Sequence, residues 1–166
     1  MKIDIADAVA HEGEVFSAAC DGALADIEHM GERYRFDGDV HVSADYWFGD
    51  EEVTVNGHLS ATLSANCSRC LKQILYPVEI DFTEHYKETG EDGEYTFEGE
   101  QIVLDRMLCD NVVMNLPGKF LCSEDCKGLC SKCGHDLNSG PCGCSEQIDE
   151  SNPFYSLSKL YDDEEV

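Results

Sequence analysis

Residues 53–66 read Val-Thr-Val-Asn-Gly-His-Leu-Ser-Ala-Thr-Leu-Ser-Ala-Asn and run directly into Cys67-Ser-Arg-Cys70. Apolar or small residues alternate with polar residues along this stretch, which is the period of a β-strand with one buried face. Residues 74–86 follow the cysteine pair, and their apolar residues recur at the same period. The pattern predicts a long β-hairpin whose turn carries two cysteines.

The regions around this hairpin predict a mixed fold. Residues 39–48 alternate in the same way and indicate a third strand, and short strands are expected around Ile3 and Val15. The apolar period becomes helical over residues 102–116, and Pro117 ends that pattern. We predict an α+β fold that is mainly an antiparallel β-sheet or a partly open barrel, with one or two helices and a C-terminal Cys-rich zinc-knuckle segment.

Composition divides the chain into three parts. Residues 1–118 are predicted to form a β-rich body with a helix at about 101–116, and residues 119–146 a Cys-rich zinc-binding segment. Residues 147–166 are predicted to form a C-terminal helix followed by an acidic tail, because Asn152 is a good N-cap residue.

Eight of the ten cysteines fall into closely spaced pairs, namely Cys67 and Cys70, Cys122 and Cys126, Cys130 and Cys133, and Cys142 and Cys144. Two thiolates separated by a few residues form half of a tetrahedral Zn²⁺ site. The first residues do not resemble a secretory signal, so we expect a cytoplasmic protein, in which such cysteines bind metal more often than they form disulfides. The remaining two, Cys20 and Cys109, are interpreted as core residues.

Two zinc sites are favoured over one. Only eight residues separate the last two pairs, so we assign one site to a distal cluster of Cys130, Cys133, Cys142 and Cys144. The other site is a hairpin cluster of Cys67, Cys70, Cys122 and Cys126. A single zinc held by Cys67, Cys70, Cys130 and Cys133 is the competing arrangement. His135 is interpreted as an exposed residue rather than a ligand, and Gly134 is expected to adopt a left-handed conformation that aims amides at sulfur.

Charge restricts the kind of partner. The chain has 35 acidic residues against 11 Lys and Arg, a formal net charge of −24. Such a charge repels phosphate, so broad nucleic-acid binding is disfavoured and a basic protein partner is favoured. Segments 67–72 and 119–144 are less acidic than the rest, which leaves a local RNA contact open. The candidate partner or RNA contacts are Arg69, Lys72, Lys127 and Lys132.

The sequence favours a structural metal over a catalytic one. Four thiolates make a closed site without the open position that a catalytic zinc keeps. The sequence contains no His-Glu-x-x-His, no Walker glycine loop, no Gly-x-Ser-x-Gly and no Gly-x-Gly-x-x-Gly after a strand. No stretch approaches the roughly 20 apolar residues of a membrane span. We therefore predict no enzymatic activity, no small-molecule substrate and no membrane partner.

Three motifs in order carry a family resemblance. They are Cys-x-Arg-Cys-Leu over residues 67–71, a helix that ends at Leu116-Pro117, and Cys-Ser-Glu-Asp-Cys-Lys-Gly-Leu-Cys-x-x-Cys-Gly-x-x-Leu-Asn over residues 122–138 with a closing Cys-x-Cys. In these motifs the chain resembles the bacterial YceD family, whose members are described as large ribosomal RNA subunit accumulation proteins. The resemblance runs from about residue 35 to the end.

The resemblance implies a function that composition alone does not. It implies a role in the accumulation or processing of 23S rRNA, and hence in large-subunit assembly, with a ribosomal protein or pre-23S rRNA as partner. It implies no known enzymatic activity. The second hypothesis is a zinc-holding or thiol redox module without a ribosomal role.

Overall fold

The computed structural model describes residues 1–90 and 93–144. The chain divides into two compact units, Met1–Cys126 and Lys127–Val166. All the strands and helices of the described residues lie in the first unit. In chain order they are β1 (Lys2–Asp4), α1 (Ala6–Ala10), β2 (Phe16–Gly22), β3 (Ile27–His29), β4 (Glu32–Phe36), β5 (Val40–Gly49), β6 (Glu52–Asn66), β7 (Gln73–Lys87), β8 (Tyr95–Thr96), β9 (Gln101–Val103) and α2 (Asp105–Met114).

The β6–β7 hairpin is the central feature of the fold. Its strands pair antiparallel along their whole length, from Glu52 opposite Lys87 to Asn66 opposite Gln73. The apolar residues of the alternating pattern face the core, and Leu59 is fully buried. The predicted hairpin is therefore confirmed, with the Cys67–Cys70 pair in its turn.

Five other strands extend this hairpin into a seven-stranded, mainly antiparallel sheet, whereas β1 and β9 pair with each other in a separate two-stranded sheet. Strand β5 pairs with β6 from Glu52 to Ser60, and β4 pairs with β6 nearer the turn, at Arg35–Ser64 and Phe36–Leu63. Strand β2 lies on the outer edge of β5, and β3 on the outer edge of β4. The short β8 adds to β7 in parallel. Of the two predicted arrangements, the described residues form the antiparallel sheet and not a closed barrel.

The predicted helix at about 101–116 is shorter than expected, and its first residues form a strand instead. Residues Gln101–Val103 pair antiparallel with Lys2–Asp4, and helix α2 occupies Asp105–Met114. Ile102 is fully buried, and its place in the sequence fits the apolar pattern of a helix as well as that of a strand. The sequence around it does not reveal the strand, because the N-terminal segment that supplies its hydrogen bonds lies about a hundred residues away.

Helix α2 packs its apolar stripe into the core, with Met107, Leu108 and Val112 fully buried. Both cysteines interpreted as core residues, Cys20 and Cys109, are partly buried and pack against this core. Within residues 1–90 and 93–144, no helix has the length and apolarity needed to cross a membrane. The predicted C-terminal helix after Asn152 lies outside the described residues, and the three-part division of the chain stays a prediction.

Candidate metal centres

The hairpin cluster brings together four sulfur atoms from two distant parts of the sequence. The Sγ atoms of Cys67 and Cys126 are 3.8 Å apart, and those of Cys70 and Cys122 are 3.7 Å apart. All four sulfurs lie within 4.8 Å of one another. Cys67, Cys70 and Cys126 are buried, whereas Cys122 is exposed. The cluster could therefore hold a metal ion beside the edge of the core.

Packing of Phe120 against the hairpin explains how Cys122 and Cys126 reach its turn. The Phe120 side chain is buried and lies between two rings, with centroids 5.4 Å from Tyr34 and 5.1 Å from Tyr76. The backbone N–H of Ser68 donates to the carbonyl oxygen of Phe120 at 2.7 Å. The backbone N–H of Phe120 donates back to Ser68 Oγ at 3.1 Å. These contacts fix the chain two residues before Cys122.

Arg69 secures the other end of the same segment. Its Nη1 atom donates to the carbonyl oxygen of Cys126 at 2.8 Å and to that of Glu124 at 2.9 Å. Charge-assisted hydrogen bonds of this kind are stronger than neutral ones. Arg69, predicted as a partner contact, thus has a structural role in the first unit. Sequence reasoning missed this role, although its position between two ligand cysteines is a signal for it.

In the hairpin cluster the surroundings favour ionisation of one cysteine, Cys67, and disfavour it for Cys70. Backbone N–H groups, that of Cys70 foremost, lower the pKa of Cys67 to about 6. The N–H of Lys72 acts in the same sense on Cys70, but desolvation and the neighbouring thiols outweigh it and raise the pKa of Cys70 to about 12. A cation that binds all four sulfurs would ionise the remaining thiols and release their protons.

The distal cluster lies in the second unit. The sulfurs of Cys130, Cys133, Cys142 and Cys144 also lie within 4.8 Å of one another, and this cluster is more exposed than the first. Backbone N–H groups, that of Cys133 foremost, lower the pKa of Cys130 to about 6. The neighbouring thiols, that of Cys133 foremost, raise the pKa of Cys144 to about 12. In each cluster, therefore, the first cysteine has a lowered pKa and another cysteine has a raised one.

A network of short-range hydrogen bonds shapes the loop of the distal cluster. Asn138 Oδ1 accepts from the backbone N–H of Lys127 at 2.8 Å, and the backbone N–H of Asn138 donates to Asp136 Oδ1 at 2.9 Å. The N–H of Leu137 donates to the carbonyl oxygen of Gly128 at 3.0 Å. These bonds close the loop that precedes Cys142, so the site is built almost entirely from local contacts.

The first cysteine pairs of the two clusters adopt the same turn. In the hairpin knuckle, residues 67–72, the N–H of Leu71 donates to the Cys67 carbonyl oxygen at 2.9 Å, and the N–H of Cys67 to that of Lys72 at 2.8 Å. In the distal knuckle, residues 130–135, the two corresponding bonds are both 2.8 Å long. Leu71 and Gly134 occupy the same position, with φ of 61° and 71°. The left-handed conformation expected for Gly134 is confirmed.

Both donor sets fit a tetrahedral zinc ion. Four sulfurs at a Zn–S distance of about 2.3 Å are about 3.8 Å apart in a tetrahedron. Two Sγ–Sγ distances in the hairpin cluster, 3.7 Å for Cys70 and Cys122 and 3.8 Å for Cys67 and Cys126, agree with this separation. Four thiolates fill the coordination sphere of zinc, so a bound ion would cross-link the chain and offer no position for a substrate or an activated water.

The structure also places the remaining candidate residues. Cys67 and Cys70 group with Cys122 and Cys126, rather than with Cys130 and Cys133 as in the competing arrangement. The three lysines among the candidate contacts are all exposed, namely Lys72, Lys127 and Lys132. His135 is exposed, as expected, and its Nε2 lies 3.4 Å from Ser139 Oγ.

Comparison with known proteins connects these knuckles to a family. Residues 55–161 match the family described as Large ribosomal RNA subunit accumulation protein YceD, and this range includes both clusters. The chain belongs to the YceD family. The resemblance inferred from the three cysteine-containing and helical motifs is thereby confirmed.

Curated relatives of this YceD chain include mycobacterial proteins. Uncharacterized proteins of Mycobacterium tuberculosis (strain ATCC 25618 / H37Rv) and Mycobacterium bovis are each 35% identical over 107 residues, which are 60% of this chain and 52% of the relative. An uncharacterized protein of Mycobacterium leprae is 29% identical over 107 residues, 60% of this chain and 49% of its own length. The chain therefore spans about half the length of the curated relatives it matches. No solved structure matches it significantly.

Proposed function

We propose that this YceD chain is a non-enzymatic factor for the accumulation or processing of 23S rRNA and for assembly of the large ribosomal subunit. The family match over residues 55–161 carries the proposal. The geometry supports a non-enzymatic role, since four-thiolate sites bind zinc without an open coordination position. In this proposal, zinc occupies both clusters and stabilises the fold, and the protein acts in the cytoplasm.

We propose that the partner is a basic ribosomal protein or an rRNA–protein surface of the immature large subunit. The net charge of −24 would attract such a partner and repel bare RNA. Carboxylates also line the exposed face of the sheet, where Glu79 and Asp81 project from β7 and Asp45 from β5. The proposed basic contacts, Arg69, Lys72, Lys127 and Lys132, would then orient the partner or touch its RNA.

Deletion of the gene in the native host, followed by complementation, tests this proposal. We expect the deletion strain to contain less mature 23S rRNA relative to 16S rRNA and fewer free large subunits on sucrose gradients. The wild-type gene should restore both, whereas a Cys70→Ser variant should restore neither in full, because the hairpin cluster loses a ligand. Unchanged 23S rRNA and subunit profiles in the deletion strain would contradict the ribosomal role.

A second candidate function is a zinc-holding or thiol redox module, and the exposure of two thiols favours it. Cys122 and Cys133 are exposed, one in each cluster, so an oxidant or a metal acceptor could reach them. A storage site should release zinc to a mild chelator while the circular dichroism spectrum stays unchanged. A structural site should resist the chelator, and its emptying should disorder the knuckles. The outcome of this chelation decides between the two functions.

A further inference from the structure

Leu71 at the tip of the hairpin has an unfavourable conformation and an exposed apolar side chain. Its φ of 61° lies in the left-handed region, which disfavours residues with a Cβ atom. Its side chain is 66% exposed, so no burial in the described fold compensates for this conformation. Non-glycine residues in such conformations concentrate at functional sites.

The distal knuckle shows that the turn itself does not require a leucine. Gly134 occupies the same position with the same two hydrogen bonds, and glycine adopts this conformation without strain. The hairpin knuckle therefore retains a larger side chain where glycine would serve the turn better. Because the Leu71 side chain is exposed to solvent, we look for its role in a contact with another molecule.

A second apolar side chain accompanies Leu71 at this end of the hairpin. Leu75 is 60% exposed and lies opposite Ser64, only two residue pairs from the end of the β6–β7 ladder. Two large apolar side chains within five residues, on the hairpin knuckle and on strand β7, are thus exposed and offer the kind of apolar contact found at the centre of protein interfaces. We call Leu71 and Leu75 the tip leucines.

Charge around the tip leucines favours a basic protein over RNA. A dication bound by the four thiolates of the hairpin cluster would have a net charge of −2 together with them, and this charge would cancel those of Arg69 and Lys72. The exposed Glu124 and Asp125 lie on the segment that Arg69 holds. The tip therefore offers no net positive charge for phosphate binding. The net charge of −24, which lies mainly outside the cysteine segments, would instead attract a basic partner to the chain, and the tip leucines would supply its apolar contact.

We propose that the tip leucines are the apolar anchor by which this chain docks onto a basic protein of the large ribosomal subunit. The anchor fills an apolar pocket on that protein, while the acidic surface steers the approach. This inference rests on the proposed function and adds to it the contact surface and the chemistry of the partner.

Photo-crosslinking tests the contact directly. Benzoylphenylalanine replaces Leu71 in one variant and Val15 in a matched control, since Val15 is also apolar and exposed but lies just before β2. Each zinc-loaded variant is irradiated with the proteins of purified large subunits, freed of RNA, and in parallel with intact large-subunit precursors. We expect an adduct with a basic ribosomal protein from position 71 in both samples, and none from position 15.

A Leu71→Gly variant separates the contact from the fold. Because glycine suits φ of 61°, the variant should keep its zinc and unfold at the same or a higher urea concentration. Its affinity for the crosslinked protein should nevertheless fall at least tenfold, whereas Val15→Gly should bind as the wild type does. Both variants are then compared in the complementation assay.

Several outcomes would overturn the inference. An adduct with RNA would assign the tip to nucleic acid, an adduct with a second copy of this chain would assign it to self-association, and the lack of any adduct would remove the contact. Full complementation and full affinity of Leu71→Gly would also reject the anchor while leaving the ribosomal role intact. A deletion strain with normal 23S rRNA would instead reject the proposed function itself.

Discussion

The guanidinium of Arg69 donates to the carbonyl oxygen of Cys126 at 2.8 Å. A side chain from the middle of the first ligand pair thus holds the backbone that carries the last ligand of the hairpin cluster. The segment has no regular secondary structure between Pro117 and Cys126. The contacts of Arg69 and Phe120 therefore hold this segment in place, as backbone hydrogen bonds do within a strand or a helix.

We predict that Arg69→Met weakens metal binding in the hairpin cluster. The substitution keeps the aliphatic stem but removes both hydrogen bonds to the 124–126 backbone, and loss of such supporting contacts typically lowers metal affinity about 10–100-fold. Chelator competition on zinc-loaded protein measures the effect, with the distal cluster as internal reference. Lys72→Met is the matched control, because Lys72 is exposed and its side chain supports no ligand segment. Equal zinc retention in both variants would show that Arg69 does not support the site.

We predict two zinc ions for each chain. Native mass spectrometry should show two bound ions for the wild type, one for Cys70→Ser, one for Cys130→Ser and none for the double variant. Cys109→Ser is the control and should keep both ions, since Cys109 packs against the core on helix α2. A single ion in the wild type, lost in both single variants, would require the shared arrangement instead.

We predict that Phe120→Ala destabilises the first unit and weakens the hairpin cluster together. Phe120 is only 4% exposed and contacts the rings of Tyr34 and Tyr76, so its truncation should lower the free energy of unfolding by about 3–5 kcal/mol. Urea denaturation of the zinc-loaded protein measures this loss. Phe120→Leu retains most of the apolar volume and should lose markedly less. Wild-type stability of Phe120→Ala would mean that the ring contacts are dispensable.

We predict a pH-dependent contribution from His58 on the exposed face of the sheet. Its Nδ1 lies 2.7 Å from Asp81 Oδ1 and its Nε2 2.8 Å from Glu79 Oε2, and only the imidazolium donates through both nitrogens. Hydrogen bonds to Asp81 and then Glu79 raise the pKa of His58 above its ordinary value. The stabilisation is thus present below the unfolded pKa of about 6.5 and is lost as pH rises through the folded value.

His58→Gln should therefore lower stability at pH 6 more than at pH 9. An NMR titration of the His58 ring measures its pKa directly, and Asp81→Asn should move that pKa back toward its ordinary value. Asp45→Asn is the control, since Asp45 accepts from Ser17 rather than from this histidine. A His58 pKa that is the same in the wild type and Asp81→Asn would contradict the imidazolium interpretation.

The sequence by itself determined the β6–β7 hairpin and the internal order of the distal cluster. Strict alternation over residues 53–66 specifies a strand because only one register buries all its apolar residues. In the distal cluster, short spacing brings the cysteine pairs together, and Gly134 marks the left-handed position of its knuckle. Each of these features depends on residues that are neighbours in the chain.

Only the tertiary structure decided between the two predicted groupings of Cys67 and Cys70, where helix α2 begins and what Arg69 contacts. Cys67 and Cys126 are 59 residues apart, and Gln101–Val103 becomes a strand only because Lys2–Asp4 lies beside it. The exposure of Leu71 likewise became visible only in the folded turn. Contacts between distant segments depend on how the whole core packs, and no local period or spacing in the sequence encodes them.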